Sequence, residues 1–207
     1  MVVTDIIPID SKKKRVCIDY DYVFPLYLSE IKKFHLAPDT EISEQSFATI
    51  RELLSSRLQE RILYYITDCD HSERDIKRKM LQAYYPEDLV VEVIDKLKAL
   101  KYIDDSRYAS YYAESLHHSG KGASYIRNKL YEKGISRDLI EEVLSKDLYH
   151  EDETELILKE LKKKGITPEQ IPGLEAKERN RLQQMLLRKG FKSSDILKLI
   201  PYIVGPY

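Results

Sequence analysis

The chain is poor in the residues that mark most enzymes and secreted scaffolds. Cys17 and Cys69 are its only cysteines in 207 residues. Their separation matches no metal-ligand spacing, and small secreted domains carry more of them, so the expected compartment is a reducing cytoplasm. Seven residues are glycine and none is tryptophan. Gly120-Lys-Gly-Ala123 lacks both the upstream glycine and the following Ser or Thr of a phosphate loop, and reads as a flexible joint opening a helix. No apolar run approaches the ~20 residues needed to span a bilayer. The opening MVVTDIIPIDSKKKR has an early aspartate and no apolar stretch of a signal peptide. There is no Gly-x-Ser-x-Gly, no cysteine–histidine pair and no strand-framed nucleophile. The expectation is a protein with no catalytic residues, no metal and no cofactor.

What is present is charge and tyrosine. Charged residues make up 33% of the chain, yet the net charge is −1, and 16 residues are tyrosine. This is the composition of a soluble, folded protein. Its whole-molecule field argues neither for nor against nucleic acid, so the distribution of charge has to carry the argument.

Residues 1–42 differ from the rest. Ile6, Ile7 and Ile9 precede the run Lys12-Lys-Lys-Arg15. A β-branched and aromatic stretch follows from Val16 to Leu28, with a turn expected at Asp19 to Asp21 and a strand limit at Pro25. Two or three short strands, pairing as a hairpin, and a helix over 29–36 are predicted. After a Pro38-Asp39 turn the pattern becomes helical. Ser43-Glu-Gln-Ser46 marks a helix start, and Phe47, Ile50, Leu54 and Leu58 recur at helical spacing.

A repeat organises everything downstream. Ile76-x3-Met80-x3-Tyr84-Tyr85-x3-Leu89-x3-Val93-Ile94 matches Ile126-x3-Leu130-x3-Gly134-Ile135-x3-Leu139-x3-Val143-Leu144 at an offset of 50 residues. A third copy runs Leu182-x3-Leu186-x3-Gly190-Phe191-x4-Ile196-x2-Leu199-Ile200. Each copy reads helix, tight turn, helix. Gly134 and Gly190 fall where the first helix ends in a left-handed residue, and Ser136 and Ser193 or Ser194 are candidate N-caps for the second. A further helical stretch precedes each copy, over 46–66, 105–117 and 151–164. The fold class is therefore mainly α: three tandem three-helix units, 43–104, 105–150 and 151–207, forming an elongated curved body behind a short N-terminal β segment.

Several motifs invite chemistry and are better read structurally. Tyr102-Ile-Asp-Asp105 has the look of a polymerase metal site, but such a site needs a β-hairpin and a third carboxylate. Asp104, Asp105 and Ser106 instead stand at a helix start, where a carboxylate meets orphan N–H groups. His117-His118 reads as a solvated helix end. The pairs Tyr64-Tyr65, Tyr84-Tyr85 and Tyr111-Tyr112 read as one core member and one rim member each, although such rings can also stack on bases.

Charge is zoned. Eight acids lie between Asp138 and Glu155, against Lys146 alone. A basic region follows, from Lys159 through Lys164, Lys177, Arg181 and Arg188 to Lys198. Another basic stretch, Lys121 to Arg137, precedes the acidic zone, and Arg74, Lys77, Arg78 and Lys79 form a further cluster. Alternating zones suit a charged protein groove or a phosphate backbone, while solvated helix faces with i,i+4 pairs account for them equally well.

Tyr102-Ile-Asp-Asp-Ser-Arg-Tyr-Ala109, Gly120-x-Gly122 and Ile126-x3-Leu130-x2-Lys133-Gly134-Ile135 together resemble the central signature of the RecX family, bacterial regulators of the RecA recombinase. The resemblance covers residues 60–200. It implies tandem three-helix repeats that bind along the groove of the RecA filament on single-stranded DNA. It further implies modulation, usually inhibition, of ATP hydrolysis, strand exchange and co-protease activity in DNA repair and the SOS response. It also implies direct DNA binding in some members. A monomer is expected. Lys121, Arg127, Lys129, Lys133, Arg179, Arg181, Arg188 and Lys189 are the residues expected to contact the partner or nucleic acid. The alternative reading is a helix-turn-helix-like module on duplex DNA. The sequence departs from the family at Tyr84-Tyr85, where a Lys-Gly-aromatic turn is usual and where the helix is expected to end differently. It departs again in its net charge and in an insertion around Ile171-Pro-Gly173.

Overall fold

The computed structural model describes residues 1–145 and 153–200. The chain divides into two compact units, Met1–Asp104 and Asp105–Tyr207.

The first unit opens with an antiparallel sheet in the order β1 (Val3–Pro8), β2 (Lys13–Ile18), β3 (Tyr22–Tyr27). Asp10 closes the first turn by accepting the N–H groups of Lys12 and Lys13 at 2.7 and 2.8 Å. Asp19 and Tyr20, both at positive φ, and Asp21, whose N–H donates to Ile18 O at 3.1 Å, form the second turn. The expected hairpin is thus a three-stranded meander. Pro25 does not end its strand: it sits inside β3 opposite Arg15, because β3 is an edge strand and its outer side needs no donor. Val3, Val16, Ile18, Phe24 and Leu26 turn one face inward and are buried.

A short helix, α1 (Leu28–Lys33), packs on β3. The long helix α2 (Glu44–Tyr65) is capped by Ser43, whose hydroxyl accepts the N–H of Ser46 at 3.2 Å. It buries Ile50, Leu54, Leu58 and Ile62, a row at i,i+4 spacing. Each such side chain contributes roughly 1.5–3 kcal/mol of transfer free energy. Helices α3 (Glu73–Gln82) and α4 (Glu87–Ala99) pack on each other and on α2. The sheet and these helices share one apolar cluster that runs from Val3 to Ile103. Arg51 of α2 ties the elements together at the rim, donating to Tyr22 of β3 at 2.9 Å and pairing with Asp88 and, at 2.8 Å, Glu92 of α4.

The turn between α3 and α4 contradicts the expectation of a different helix end. Tyr84 adopts φ +66°, the place that Gly134 (+83°) and Gly190 (+84°) take in the later copies. The same backbone turn is kept, with a tyrosine carrying the left-handed strain.

The second unit contains α5 (Asp105–His118), α6 (Ala123–Glu132) and α7 (Arg137–Leu144), followed by α8 (Thr154–Lys162), a 3-10 turn (Pro168–Gly173), α9 (Ala176–Arg188) and α10 (Ser193–Leu199). Ser136 caps α7, accepting from Leu139 N–H at 3.4 Å. The boundary predicted at 150/151, and Lys146, Asp147, Glu151 and Asp152 of the acidic zone, lie outside the described residues. The core forms two clusters. One gathers Ile126, Leu130, Ile140 and Val143 under α5, and the other gathers Ile157, Leu161, Leu186 and Ile196.

Each tyrosine pair splits as its spacing predicts. Tyr64 is 84% exposed while Tyr65 packs on the core, Tyr85 is buried beside an exposed Tyr84, and Tyr112 packs inward beside an exposed Tyr111. Asp104 and Asp105 stand at the start of α5 and not on a hairpin.

Candidate interaction site

The eight basic residues singled out from the sequence all lie in the second unit, and the structure separates them by how much of their charge remains available. Arg127 is spent on Glu141: its Nε and Nη2 donate to the two carboxylate oxygens at 3.1 and 3.0 Å. Those bonds hold the Glu141 carboxyl below its ordinary value. Lys129 pairs with Glu132 at 2.6 Å. Lys189 pairs with Glu160. Lys121 lies 4.6 Å from the centre of the Tyr125 ring, and Lys133 caps the end of α6. Arg179 is half-buried, and its Nε meets no acceptor among the described residues.

Arg181 and Arg188 are different. Helix α9 places Lys177, Arg181, Gln184 and Arg188 four, three and four residues apart, so they share one face. The segment after α8 brings Lys164 and Ile166 opposite. Together they line a cleft of about 970 Å³ with Leu182 and Met185 among its apolar walls. Among the described residues no acidic one lines it. None of Lys164, Lys177, Arg181 and Arg188 forms an ion pair among the described residues. Four cations around an apolar floor make a site for an acidic protein surface or a phosphate chain, with the side-chain stems adding buried area. Lys164 and Lys177 belong to the basic region read from the sequence, but their place opposite Arg181 depends on how α8 packs beside α9, which spacing does not reveal.

The junction of the two clusters in the second unit is polar and tight. Gly120-Lys-Gly122 does open α6, but it is not a flexible joint. Gly122 donates to Lys189 O at 2.8 Å, and Ser124 donates to Gly190 O at 3.3 Å. A Cβ on Gly122 would strike the carbonyl of Gly190, and one on Gly190 would strike the backbone of Tyr125. Glu153 is buried there (6% exposed), and its two carboxylate oxygens accept the N–H groups of Ala123 and Lys192, each at 2.9 Å. One carboxylate therefore caps α6 and α10 together, which corrects the expected Ser193 or Ser194 cap. Residue Lys192 holds the N-cap position, and no side chain of its own element accepts there. Glu160, 4% exposed, joins Lys163 at 2.5 Å and Lys189. Burial alone would raise its carboxyl, yet the hydrogen bonds and charges of the two lysines hold it below the ordinary value.

Two further expectations meet the structure in the first unit and in α5. A cysteine–histidine pair does exist: Cys69 Sγ lies 3.5 Å from His71 Nε2, because the turn after α2 folds His71 onto Tyr65, ring centres 3.9 Å apart. Among the described residues no group of three or more His, Cys, Asp or Glu side chains is placed to hold a metal. His117 and His118 end α5 with rings 6.2 Å apart, and burial first, then the neighbouring imidazole, pushes His117 down. No described helix is long and apolar enough to cross a membrane.

Comparison with known proteins gives a consistent result. The family model for the second three-helix domain of RecX matches residues 104–144. The chain is 30% identical over 192 residues to the regulatory protein RecX of Limosilactobacillus reuteri strain DSM 20016, an alignment covering 90% of this chain and 72% of that protein. It is 32% identical over 198 residues to the regulatory protein RecX of Leuconostoc mesenteroides, covering 94% and 73%. Among solved structures, a regulatory protein RecX superposes with a TM-score of 0.62 at 28% identity over 96% of this chain and 98% of that one. RecX from Lactobacillus salivarius superposes with a TM-score of 0.60 at 25% identity, over 71% and 94%.

Proposed function

The chain belongs to the RecX family of regulatory proteins, and from that premise we propose that it regulates the RecA recombinase by binding the RecA filament on single-stranded DNA. In this reading it acts as an inhibitor. The three-helix units lie across adjacent RecA subunits and favour one filament state, which slows ATP hydrolysis, strand exchange and co-protease activity.

The observation that supports this reading most strongly is the basic cleft of Lys164, Lys177, Arg181 and Arg188 over its apolar floor, with no ion pair to any of the four among the described residues. Of the eight residues expected to bind, Arg181 and Arg188 carry the contact, and Lys164 and Lys177 join them. Arg127, Lys129 and Lys189 are already held by carboxylates of the same unit and contribute less.

The test is ATP hydrolysis by RecA on single-stranded DNA, with this protein added from well below RecA's concentration up to it. Inhibition far below one copy per RecA is expected. The variant K164E/K177E/R181E/R188E raises the half-inhibitory concentration about tenfold, since four rim charges at ~0.2–1 kcal/mol each sum to ~0.8–4 kcal/mol, a range that brackets the ~1.4 kcal/mol of a decade. R127E changes it little. A fully active quadruple variant refutes the cleft, and no inhibition by the parent at equal concentration refutes the RecA reading itself.

A further inference from the structure

The first unit carries a thiol that the RecA reading does not use. The turn after α2 leaves Cys69 exposed to solvent. Ser72 fixes the far end of that turn: it is buried and caps α3, accepting the N–H of Asp75 at 3.2 Å. Between them His71 lies flat on Tyr65, with ring centres 3.9 Å and planes 9° apart. Its Nε2 stands 3.5 Å from Cys69 Sγ, a hydrogen-bond distance for sulfur. Cys17, half-buried in β2, makes no such contact among the described residues.

The pair stands in a charged hollow. A first cleft, of about 340 Å³, is lined by Lys13, Arg57, Arg61 and Lys79 with Tyr84 and Tyr85. A second, of about 380 Å³, is lined by Cys69 and His71 with Tyr64 and Tyr65. Arg61 of α2 and Lys79 of α3 line both, so the second cleft is cationic on the side it shares with the first. Lys79 Nζ stands 4.0 Å from the centre of the Tyr65 ring on which His71 stacks. Asp68 is the one acid in that lining among the described residues. Arg61 and Lys79 form no ion pair among the described residues.

We propose that Cys69 is a site of thiol modification, which forms a mixed disulfide with a small disulfide carrying carboxylates, and that His71 is its base. The thiolate and not the thiol is the nucleophile, so a base within reach of Sγ decides the rate. Nε2 is that base in the tautomer that carries its proton on Nδ1. Nε2 takes the proton of Sγ, and Sγ attacks one sulfur of the incoming disulfide. The new S–S bond to Cys69 forms as the old S–S bond breaks. Cys69 is oxidised. The departing half is reduced and leaves as a thiol with the proton that His71 held. Arg61 and Lys79 set the class of reagent, because carboxylates on the disulfide meet the two cations. The cleft is at the small end of ligand sites, which suits a short peptide-like molecule and not a folded partner. Two side chains fall short of the ligand set of a metal, which leaves the pair to proton transfer. The site lies in the other unit from the cleft of Arg181 and Arg188 and needs no RecA.

The test is mass spectrometry of the full chain, intact and as mapped peptides, during exposure to glutathione disulfide. Cys69 is expected to gain the glutathionyl group at least about tenfold faster than Cys17, by exposure and by its base together. H71Q is expected to slow Cys69 about tenfold at neutral pH, less than the ~10²-fold or more of a base in an enclosed site. It is also expected to move the pH–rate profile of Cys69 to more alkaline values, which a histidine that only packs on Tyr65 would not control. R61E/K79E is expected to slow the reaction with glutathione disulfide about fivefold through lost attraction, and to leave the reaction with neutral hydroxyethyl disulfide unchanged. The proposal is overturned if Cys69 reacts no faster than Cys17, or if H71Q keeps the parent's rate and pH profile. Equal slowing of R61E/K79E toward both disulfides overturns the acidic class of reagent. A disulfide-linked dimer through Cys69 that forms faster than the mixed disulfide also overturns it, and assigns the thiol to a second copy of the chain.

Discussion

In the first unit one apolar cluster runs without a break from Val3 to Ile103, whereas in the second the described core divides into a cluster around Ile126 and another around Leu186. Sheet and helices of the first unit meet through side chains. The two clusters of the second meet through backbone: the carbonyl of Gly190 against Gly122, and the carboxylate of Glu153 between two helix starts. The difference teaches how the same repeat can be joined in two ways. An apolar joint tolerates changes of volume, at a cost set by how well the core refills. A backbone joint tolerates no Cβ at all, and the buried Glu160 near it, held below its ordinary value by Lys163 and Lys189, makes it answerable to pH.

The sharpest break in the comparison comes from Gly190→Ala. The residue is at φ +84° and its new Cβ would meet the Tyr125 backbone. Left-handed strain of ~1–2 kcal/mol adds to ~1–3 kcal/mol of overpacking. A loss of about 3 kcal/mol in urea denaturation is expected, with the first unit's amides unchanged in hydrogen exchange. A loss under about 1 kcal/mol would mean that the seam yields.

Glu153→Ala comes next. It strips the acceptor from the N–H groups of Ala123 and Lys192, and a hydrogen bond to a charged group contributes roughly 1.5–3 kcal/mol. Water reaching the emptied position recovers part of that, leaving about 2 kcal/mol. Faster exchange at the Ala123 and Lys192 amides, with Leu58 and Val93 in the first unit unaffected, is the expected signature. Unchanged exchange at those two amides would show that they find other partners.

Acid sharpens the same contrast with a smaller effect. Glu160 is held below its ordinary value in the folded chain by Lys163 and Lys189. The unfolded chain therefore takes up its proton first as pH falls, and the stabilisation, complete above the ordinary carboxylate range, is lost progressively beneath it. Circular dichroism melts between pH 6 and pH 3 are expected to fall less steeply in E160Q than in the parent. Parallel curves would sink the role given to Glu160.

Much of this was legible in the residues. The repeat of apolar positions, the Ser43 and Ser136 caps and the glycine turns follow from spacing and from what each residue type does to the backbone. The three-stranded sheet follows from β-branched runs and turn residues. Other features were hidden for physical reasons. Glu153 stands in an acidic run whose local pattern says solvent, and only the approach of α6 and α10 makes it a cap. Arg57 and Arg61 share a face of α2, a signal visible at i,i+4, yet they become a cleft only when β2 and α3 close around them. The pair Arg127–Glu141 spans 14 residues, so a basic cluster counted along the chain overstates the charge that remains free.

Tyr84→Gly sets the smallest and most telling comparison, because the same turn is glycine in one unit and tyrosine in the other. Removing the side chain at φ +66° relieves ~1–2 kcal/mol of left-handed strain. Glycine's looser unfolded state returns ~0.5–1 kcal/mol, and the contact of Arg15 with the ring, 5.2 Å from its centre, is lost. The balance is a gain of about 0.5 kcal/mol, opposite in sign to the loss at Gly190 and read from paired urea midpoints. If Tyr84→Gly instead destabilises by more than about 1 kcal/mol, the tyrosine holds that turn through its ring. The ring's place on the wall of the first cleft would then account for a residue whose backbone alone argues against it.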